Sequence, residues 1–144
     1  MADKAHVLVV ANKTAGSEEL LSAMSARAEE GPVEFHLVVP ASPRGASWAL
    51  DMNSGQDAAE HDLEGALERM RGRGLDVHGE VGDPDPVAAV SDSTHSGVYD
   101  EVIVSTLPKH LSKWLKVDVA RKIGHSTGLP TTHVEAHSKA DAPA

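Results

Sequence analysis

The sequence has 144 residues, a formal net charge of −9 and no cysteine. This length is typical of a single domain, and the lack of cysteine excludes disulfides, thiolate metal sites and a cysteine nucleophile. An acidic chain does not favour nucleic acid or an anionic membrane as the main partner, because both select basic surfaces. No apolar run reaches the length of a secretory signal or a membrane span. We therefore expect a cytoplasmic protein that binds small molecules or other proteins.

Five short apolar segments alternate along the chain with four segments of helical periodicity. The apolar segments are mostly rich in valine and other β-branched residues, as in strands buried within a parallel sheet. Strict alternation of strands and helices predicts an α/β fold with one open parallel sheet and helices on both of its faces. The pattern alone leaves the strand order open. The strands are predicted at residues 6–11, 33–40, 75–82, 99–106 and 130–136.

The first two helices are indicated by a cap and by apolar periodicity. Ser17 is a suitable N-cap for a helix that runs to about Glu30. The periodicity of residues 59–70 predicts helix two, which ends at the RGRG segment, residues 71–74. That segment precedes a strand, so it indicates a helix stop and not a dinucleotide-binding loop. The connection at 41–57 is longer than usual and is either a functional loop or a poorly ordered one.

The last two helices begin at prolines. Asp83 can cap helix three with Pro84 at its first position. Pro108 opens helix four, which is amphipathic. The apolar stripe of helix four consists of Leu111, Trp114, Leu115, Val119 and Ile123.

The turns after strands one, three and four are candidate ligand sites, because open α/β sheets bind ligands at the carboxyl ends of their strands. Asn12 has an amide that can pair with a heterocycle or form an Asx-turn, and Gly82 allows close approach of a ligand or simply a tight turn. The hydroxyls of Ser105 and Thr106 can meet a phosphate or a ribose. Lys109 can attract an anion, although charged residues on a solvated helix face are common.

Catalytic and metal-binding patterns are weak. The nine histidines never adopt HExxH spacing. His133 and His137 would share a face only on a helix, whereas residues 130–136 are predicted as a strand. Ser105 is not in a GxSxG motif, and no sequence feature pairs it with a base such as His110. We therefore assign no catalytic residue and no metal ligand from the sequence.

Four segments together resemble the universal stress protein family, in a divergent form of the actinobacterial type. They are VLVVANKTAGSEELLSAM, VGDPDPVAAV, YDEVIVST and LSKWLKVDVARKI with TGLPTTHV, and the match spans nearly the whole chain. The resemblance implies a Rossmann-like sheet in the order 3-2-1-4-5, of the adenine nucleotide α-hydrolase type. It also implies a homodimer formed through strand five. We expect this domain at residues 1–137, followed by a disordered tail at 138–144.

One branch of the family binds ATP or AMP at the carboxyl edge of the sheet, and another branch binds no nucleotide. The resemblance implies that Ala11 and Asn12 lie near the adenine, although the family usually has Asp at the position of Asn12. It also implies that Val81, Gly82 and Pro84 form the turn that approaches the ribose and phosphates.

The phosphate motif of the family is degenerate here. The resemblance, with one residue deleted, places Ser105, Pro108 and Val117 where the family has glycines, and Asp118 where it has Ser or Thr. Pro108 has no N–H to donate, and Val117 is β-branched. A carboxylate beside phosphates in a partly dry cleft costs on the order of several kcal/mol. We therefore expect that the usual triphosphate cradle does not form.

These observations favour a non-catalytic regulatory or binding module whose nucleotide pocket is lost or altered. A first alternative is an adenine nucleotide binder, for AMP, ATP or a cyclic nucleotide, that uses an altered pocket. A second alternative is a small hydrolase or transferase of the same fold, which requires a base within hydrogen-bonding reach of Ser105 or Thr106.

Overall fold

The computed structural model describes residues 4–11, 15–41, 54–83, 85–106 and 119–136, without the side chains of residues 54–58. These residues form five strands and four helices that alternate along the chain. The predictions for Asn12, Pro84 and residues 107–118 concern residues outside these ranges. The same holds for most of the 41–57 connection and for the predicted tail. The elements are β1 (Ala5–Val10), α1 (Glu18–Glu29), β2 (Val33–Pro40), α2 (Ser54–Gly72), β3 (Val77–Gly82), α3 (Pro86–Ser96), β4 (Glu101–Thr106), α4 (Val119–Thr127) and β5 (Thr131–Glu135).

All five strands form one parallel sheet in the order β3-β2-β1-β4-β5. This order confirms both the predicted fold class and the order that the family resemblance implies. The chain runs outward from β1 to β2 and β3, then crosses back to β4 on the other side of β1. The topological switch point therefore lies between β1 and β4, where Val10 and Val104 are register partners.

Helices cover both faces of the sheet and create two hydrophobic cores. The first core joins the sheet to α1 and α2, and the second joins it to α3 and α4. The helical periodicity predicted for α1 and α2 is confirmed, because the apolar residues that recur along one face of each helix pack into the first core. The helix residues of that core are Leu20, Leu21, Met24, Ala59, Leu63, Ala66 and Met70, with Ala28 and Leu67 partly buried.

The N-cap of α1 is formed by the predicted residue. The Oγ atom of Ser17 accepts a hydrogen bond from the backbone N–H of Leu20 at 3.3 Å. The helix stop at residues 71–74 is also confirmed. Gly74 has a φ of 81°, a left-handed conformation that glycine adopts without a Cβ penalty, and so it ends the segment after α2.

The predicted start of helix three is wrong by two residues. The helix begins at Pro86, and Asp85 is its N-cap, accepting a hydrogen bond from Val87 N–H at 3.0 Å. Asp83 accepts from Asp85 N–H at 2.9 Å and belongs to the preceding turn. The reason is that a residue before proline is disfavoured in helical conformation, so Asp85 is extended and a helix cannot run through it to Pro86.

The remaining helix, α4, contributes to the second core. Val119 and Ile123, the described members of the predicted apolar stripe, are both buried. In the described segments, no helix combines the length and the apolar character that a membrane span requires.

Candidate functional site

Small and polar side chains lie at the carboxyl ends of β1 and β4, on the two sides of the switch point. Ala11 and Ser105 directly follow the register partners Val10 and Val104, so they lie side by side. Both residues are fully buried. Ala11 also donates its N–H to the carbonyl of Val38 at 3.2 Å, which fixes the end of β1 against β2. The structure therefore brings two predicted site residues together.

Thr106, the last residue of β4, is hydrogen-bonded across to β5. Its Oγ1 atom lies 2.7 Å from Nε2 of His133, and the threonine is only 2% exposed. Ser105 and Thr106 are neighbours in a strand, so their side chains point to opposite faces of the sheet. The two predicted hydroxyls therefore belong to different faces and do not form one hydroxyl pair.

The turn after β3 lies apart from this pair of strands. Gly82 ends β3, two strands from β1, which corresponds to about 10 Å between the strands. A Cβ on Gly82 would lie 2.8 Å from Cγ1 of Val38 and 3.0 Å from Cβ of Ala89. The glycine is thus required where β3 and α3 approach closely, whether or not a ligand binds beside it. Val81, also predicted, is partly buried against the first core.

Three other predicted site residues, Asn12, Pro84 and Lys109, lie outside the described residues. So do Pro108, Val117 and Asp118, which carry the argument for a degenerate phosphate motif. The described part of the site therefore consists of Ala11, Val81, Gly82, Ser105 and Thr106.

His133 is the functional candidate that sequence reasoning missed. The sequence offered His133 only as a possible partner of His137 in a metal site. The strand order implied by the resemblance places β4 beside β5, so it predicts contacts between side chains of these two strands. To predict that Thr106 contacts His133, the register between β4 and β5 must also be known. In that register His133 is the partner of Val104.

An open groove lies elsewhere, between α4 and the start of β5. Its lining includes Arg121, His125 and Thr131. Thr131 begins β5, so this groove is at the amino end of the strand, whereas Thr106 is at the carboxyl end of β4. The groove is therefore separate from the candidate site.

Comparison with known proteins gives structural matches. No family model and no curated protein sequence matches the chain. The universal stress protein from Archaeoglobus fulgidus matches with a TM-score of 0.63 and 15% identity, over 90% of this chain and 93% of that protein. A universal stress protein in complex with cAMP matches with a TM-score of 0.62 and 16% identity, over 94% of this chain and 100% of that protein. The chain therefore has the fold of the universal stress proteins, as its sequence resemblance predicted.

Proposed function

We propose that the protein is a non-catalytic regulatory module that binds an adenine nucleotide with a single phosphate, AMP or cyclic AMP. The ligand would lie at the carboxyl ends of β1 and β4. The usual Mg-ATP phosphate loop would play no part. A homodimer formed through β5 belongs to the same proposal.

One observation carries this proposal. Ala11 and Ser105 lie side by side at the topological switch point, where a sheet of this type binds its ligands, and Thr106 follows Ser105 on the opposite face of the sheet. The Thr106 hydroxyl at the end of β4 and the exposed imidazole of His133, in the neighbouring strand β5, supply polar atoms near this end of the sheet. The structural match to a universal stress protein in complex with cAMP supports an adenine nucleotide as the ligand class.

The limit to one phosphate comes from the residues after β4. The family resemblance places proline, valine and aspartate at 108, 117 and 118 where the phosphate motif has glycines and Ser or Thr. Each additional phosphate charge would increase repulsion from the carboxylate of Asp118. A nucleotide with a single phosphate avoids most of that repulsion, and Lys109 offers a compensating charge.

The proposal is tested by isothermal titration of the full chain with AMP, cyclic AMP and Mg-ATP under the same conditions. AMP or cyclic AMP should bind with a Kd at least tenfold lower than that of Mg-ATP. Thr106→Val should weaken this binding, whereas Thr132→Val, on an exposed position of β5, should not. Tighter binding of Mg-ATP, or no binding of any of the three, would contradict the proposal.

The Thr106–His133 hydrogen bond favours a second candidate, a small hydrolase or transferase. An imidazole at 2.7 Å can accept the proton of the threonine hydroxyl and so activate it as a nucleophile. This candidate predicts turnover of a bound nucleotide or acyl ester that His133→Ala abolishes. Chromatography of AMP, cyclic AMP and ATP after incubation measures that turnover, and unchanged nucleotides together with unreacted acyl esters would eliminate the candidate.

A further inference from the structure

A group of histidine and carboxylate side chains lies on the sheet at the amino ends of β1, β2 and β3. It consists of Glu34, Asp76 and His78, with His6 and Lys4 beside them, and we call it the His–carboxylate cluster. Lys4 and Asp76 immediately precede β1 and β3, and the other three lie within strands. The five side chains are between one third and two thirds exposed. The cluster is at the opposite end of the strands from the candidate nucleotide site, so it stands independently of the proposed function.

Three side chains of the cluster direct one donor atom each to a common point. Nε2 of His78 lies 3.7 Å from Oε2 of Glu34 and 3.8 Å from Oδ1 of Asp76. All three donor atoms lie within 4.8 Å of one another. Zinc bonds of about 2.0–2.1 Å in a tetrahedral arrangement put ligand atoms roughly 3.3 Å apart. The two distances from His78 are within about 0.5 Å of this value, and the two carboxylate oxygens, within 4.8 Å of each other, would move together around an ion.

The second oxygen of each carboxylate is already held by another side chain. Oε1 of Glu34 lies 3.4 Å from Nδ1 of His6, and Oδ2 of Asp76 accepts a hydrogen bond from Nζ of Lys4 at 2.8 Å. Each carboxylate therefore keeps its other oxygen for the common point. Outer contacts of this kind orient metal ligands in proteins.

We propose that Glu34, Asp76 and His78 form a site for a divalent transition metal, with zinc as the best match. The donor set of one imidazole and two carboxylates suits zinc, whereas calcium and magnesium prefer oxygen ligands alone. His6 and Lys4 act as orienting residues. A water molecule occupies the fourth position, as in zinc sites with three protein ligands.

A second histidine–carboxylate pair on the same face serves as an internal comparison. Nε2 of His36 lies 3.0 Å from Oε1 of Glu80, and His36 is the register partner of His78. His36 is outside the group whose donor atoms converge. Substitution of His36 therefore distinguishes two cases. A site with defined ligands should not need His36, whereas weak binding of a metal to several surface histidines would involve it.

The test uses the full chain without a polyhistidine tag, with Zn²⁺ followed by isothermal titration and Co²⁺ followed by its visible absorption. We expect one ion per chain and an absorption spectrum of four-coordinate Co²⁺. His78→Ala and Glu34→Gln should each raise the Kd at least tenfold, while His36→Ala and the exposed helix variant His61→Ala should leave it within twofold.

Circular dichroism of each metal-free variant shows whether it is folded. If His78→Ala does not fold, Glu34→Gln provides the test. Binding of several ions per chain without saturation at one would overturn the proposal. So would an unchanged Kd in folded His78→Ala or Glu34→Gln, or a loss of binding in His36→Ala equal to that in His78→Ala.

Discussion

The hydroxyl of Thr106 lies 2.7 Å from Nε2 of His133 and links the last residue of β4 to the middle of β5. Thr106 is buried while His133 is exposed, so the contact joins the interior of the sheet to its surface. It adds a side-chain bond to the backbone ladder that holds β5 in place. The same contact brings an imidazole next to a hydroxyl at the carboxyl end of β4.

Replacing Thr106 by valine should lower the free energy of unfolding by about 1 kcal/mol, the usual net value of one hydrogen bond. Valine has nearly the same shape, so the loss reports the hydroxyl and not a cavity. Urea unfolding followed by circular dichroism measures the change. The matched control is Thr132→Val, at an exposed position on the same edge strand, which should change stability by less than about 0.5 kcal/mol. Equal stability of the two variants would show that the bond contributes nothing.

Gly82→Ala should destabilise the protein by about 1–3 kcal/mol, the usual cost of overpacking. The added methyl group would lie 2.8 Å from Val38 Cγ1 and 3.0 Å from Ala89 Cβ, so β3 and α3 would have to separate. The control is Gly65→Ala in α2, where a Cβ has no heavy atom within 4 Å. That variant should gain roughly 0.5–1 kcal/mol, because alanine favours a helix over glycine. Thermal and urea unfolding of both variants measure the contrast, and a neutral Gly82→Ala would contradict the packing.

Tyr99, the only tyrosine in the chain, should ionise above its ordinary value of about 10. Burial raises the pKa of its phenol, and the charges of Glu80 and Glu34 raise it further. A raised pKa means that the folded state favours the neutral phenol. The neutral phenol therefore contributes its full stabilisation of the folded state below about pH 10. This contribution to the free energy of unfolding is lost as the pH rises through the folded pKa.

Ultraviolet absorbance of tyrosinate measures this titration without interference from other tyrosines. The midpoint should be higher in the folded protein than in the same chain in denaturant. Tyr99→Phe should remove the corresponding decrease of unfolding free energy above about pH 10. A folded midpoint equal to or below the unfolded midpoint would disprove the prediction.

The proposed dimer can be disrupted at a residue that the β4–β5 ladder does not use. The first and last hydrogen bonds of the ladder are donated by Val102 N–H to Pro130 O and by Ala136 N–H to Thr106 O. Because alternate residues of a strand bond opposite neighbours, Glu135 directs its N–H away from β4. In the described sheet β5 is the last strand, so that side is open to a second copy.

Glu135→Pro should therefore convert a dimer into a monomer, because proline removes the outward N–H. Light scattering at micromolar concentration measures the mass of both forms. Far-ultraviolet circular dichroism should remain unchanged, which distinguishes loss of pairing from unfolding. Glu135→Gln keeps the N–H and should remain dimeric. A monomeric unsubstituted protein, or a dimeric Glu135→Pro, would refute pairing through β5.

Much of the fold was predictable because local patterns and tertiary structure agree. Valine-rich runs such as residues 7–10 lie fully buried, and the periodic apolar residues of α2 face the first core. The start of α3 was not predicted correctly, since the sequence repeats Asp-Pro at 83–84 and 85–86 and both pairs fit a helix start. The extended conformation that Pro86 imposes on Asp85 decides between them.

The candidate site was predicted less completely. Ser105 and Thr106 were correctly placed at the end of a strand, but their separation onto opposite faces of the sheet changes what they can do together. Gly82 was recognised as special, and the structure explains it by the close approach of α3. His133 was not recognised as a partner of Thr106.

The sequence by itself determined the alternation of strands and helices, the α/β class and, through a family resemblance, the order of the strands. These properties depend on hydrophobic periodicity and turn residues, which act over a few neighbouring positions. Only the tertiary structure decided that Thr106 meets His133, 27 residues later, and that Glu34 meets Asp76 and His78. Such contacts depend on the register between parallel strands, where a shift of one residue moves every side chain to the other face.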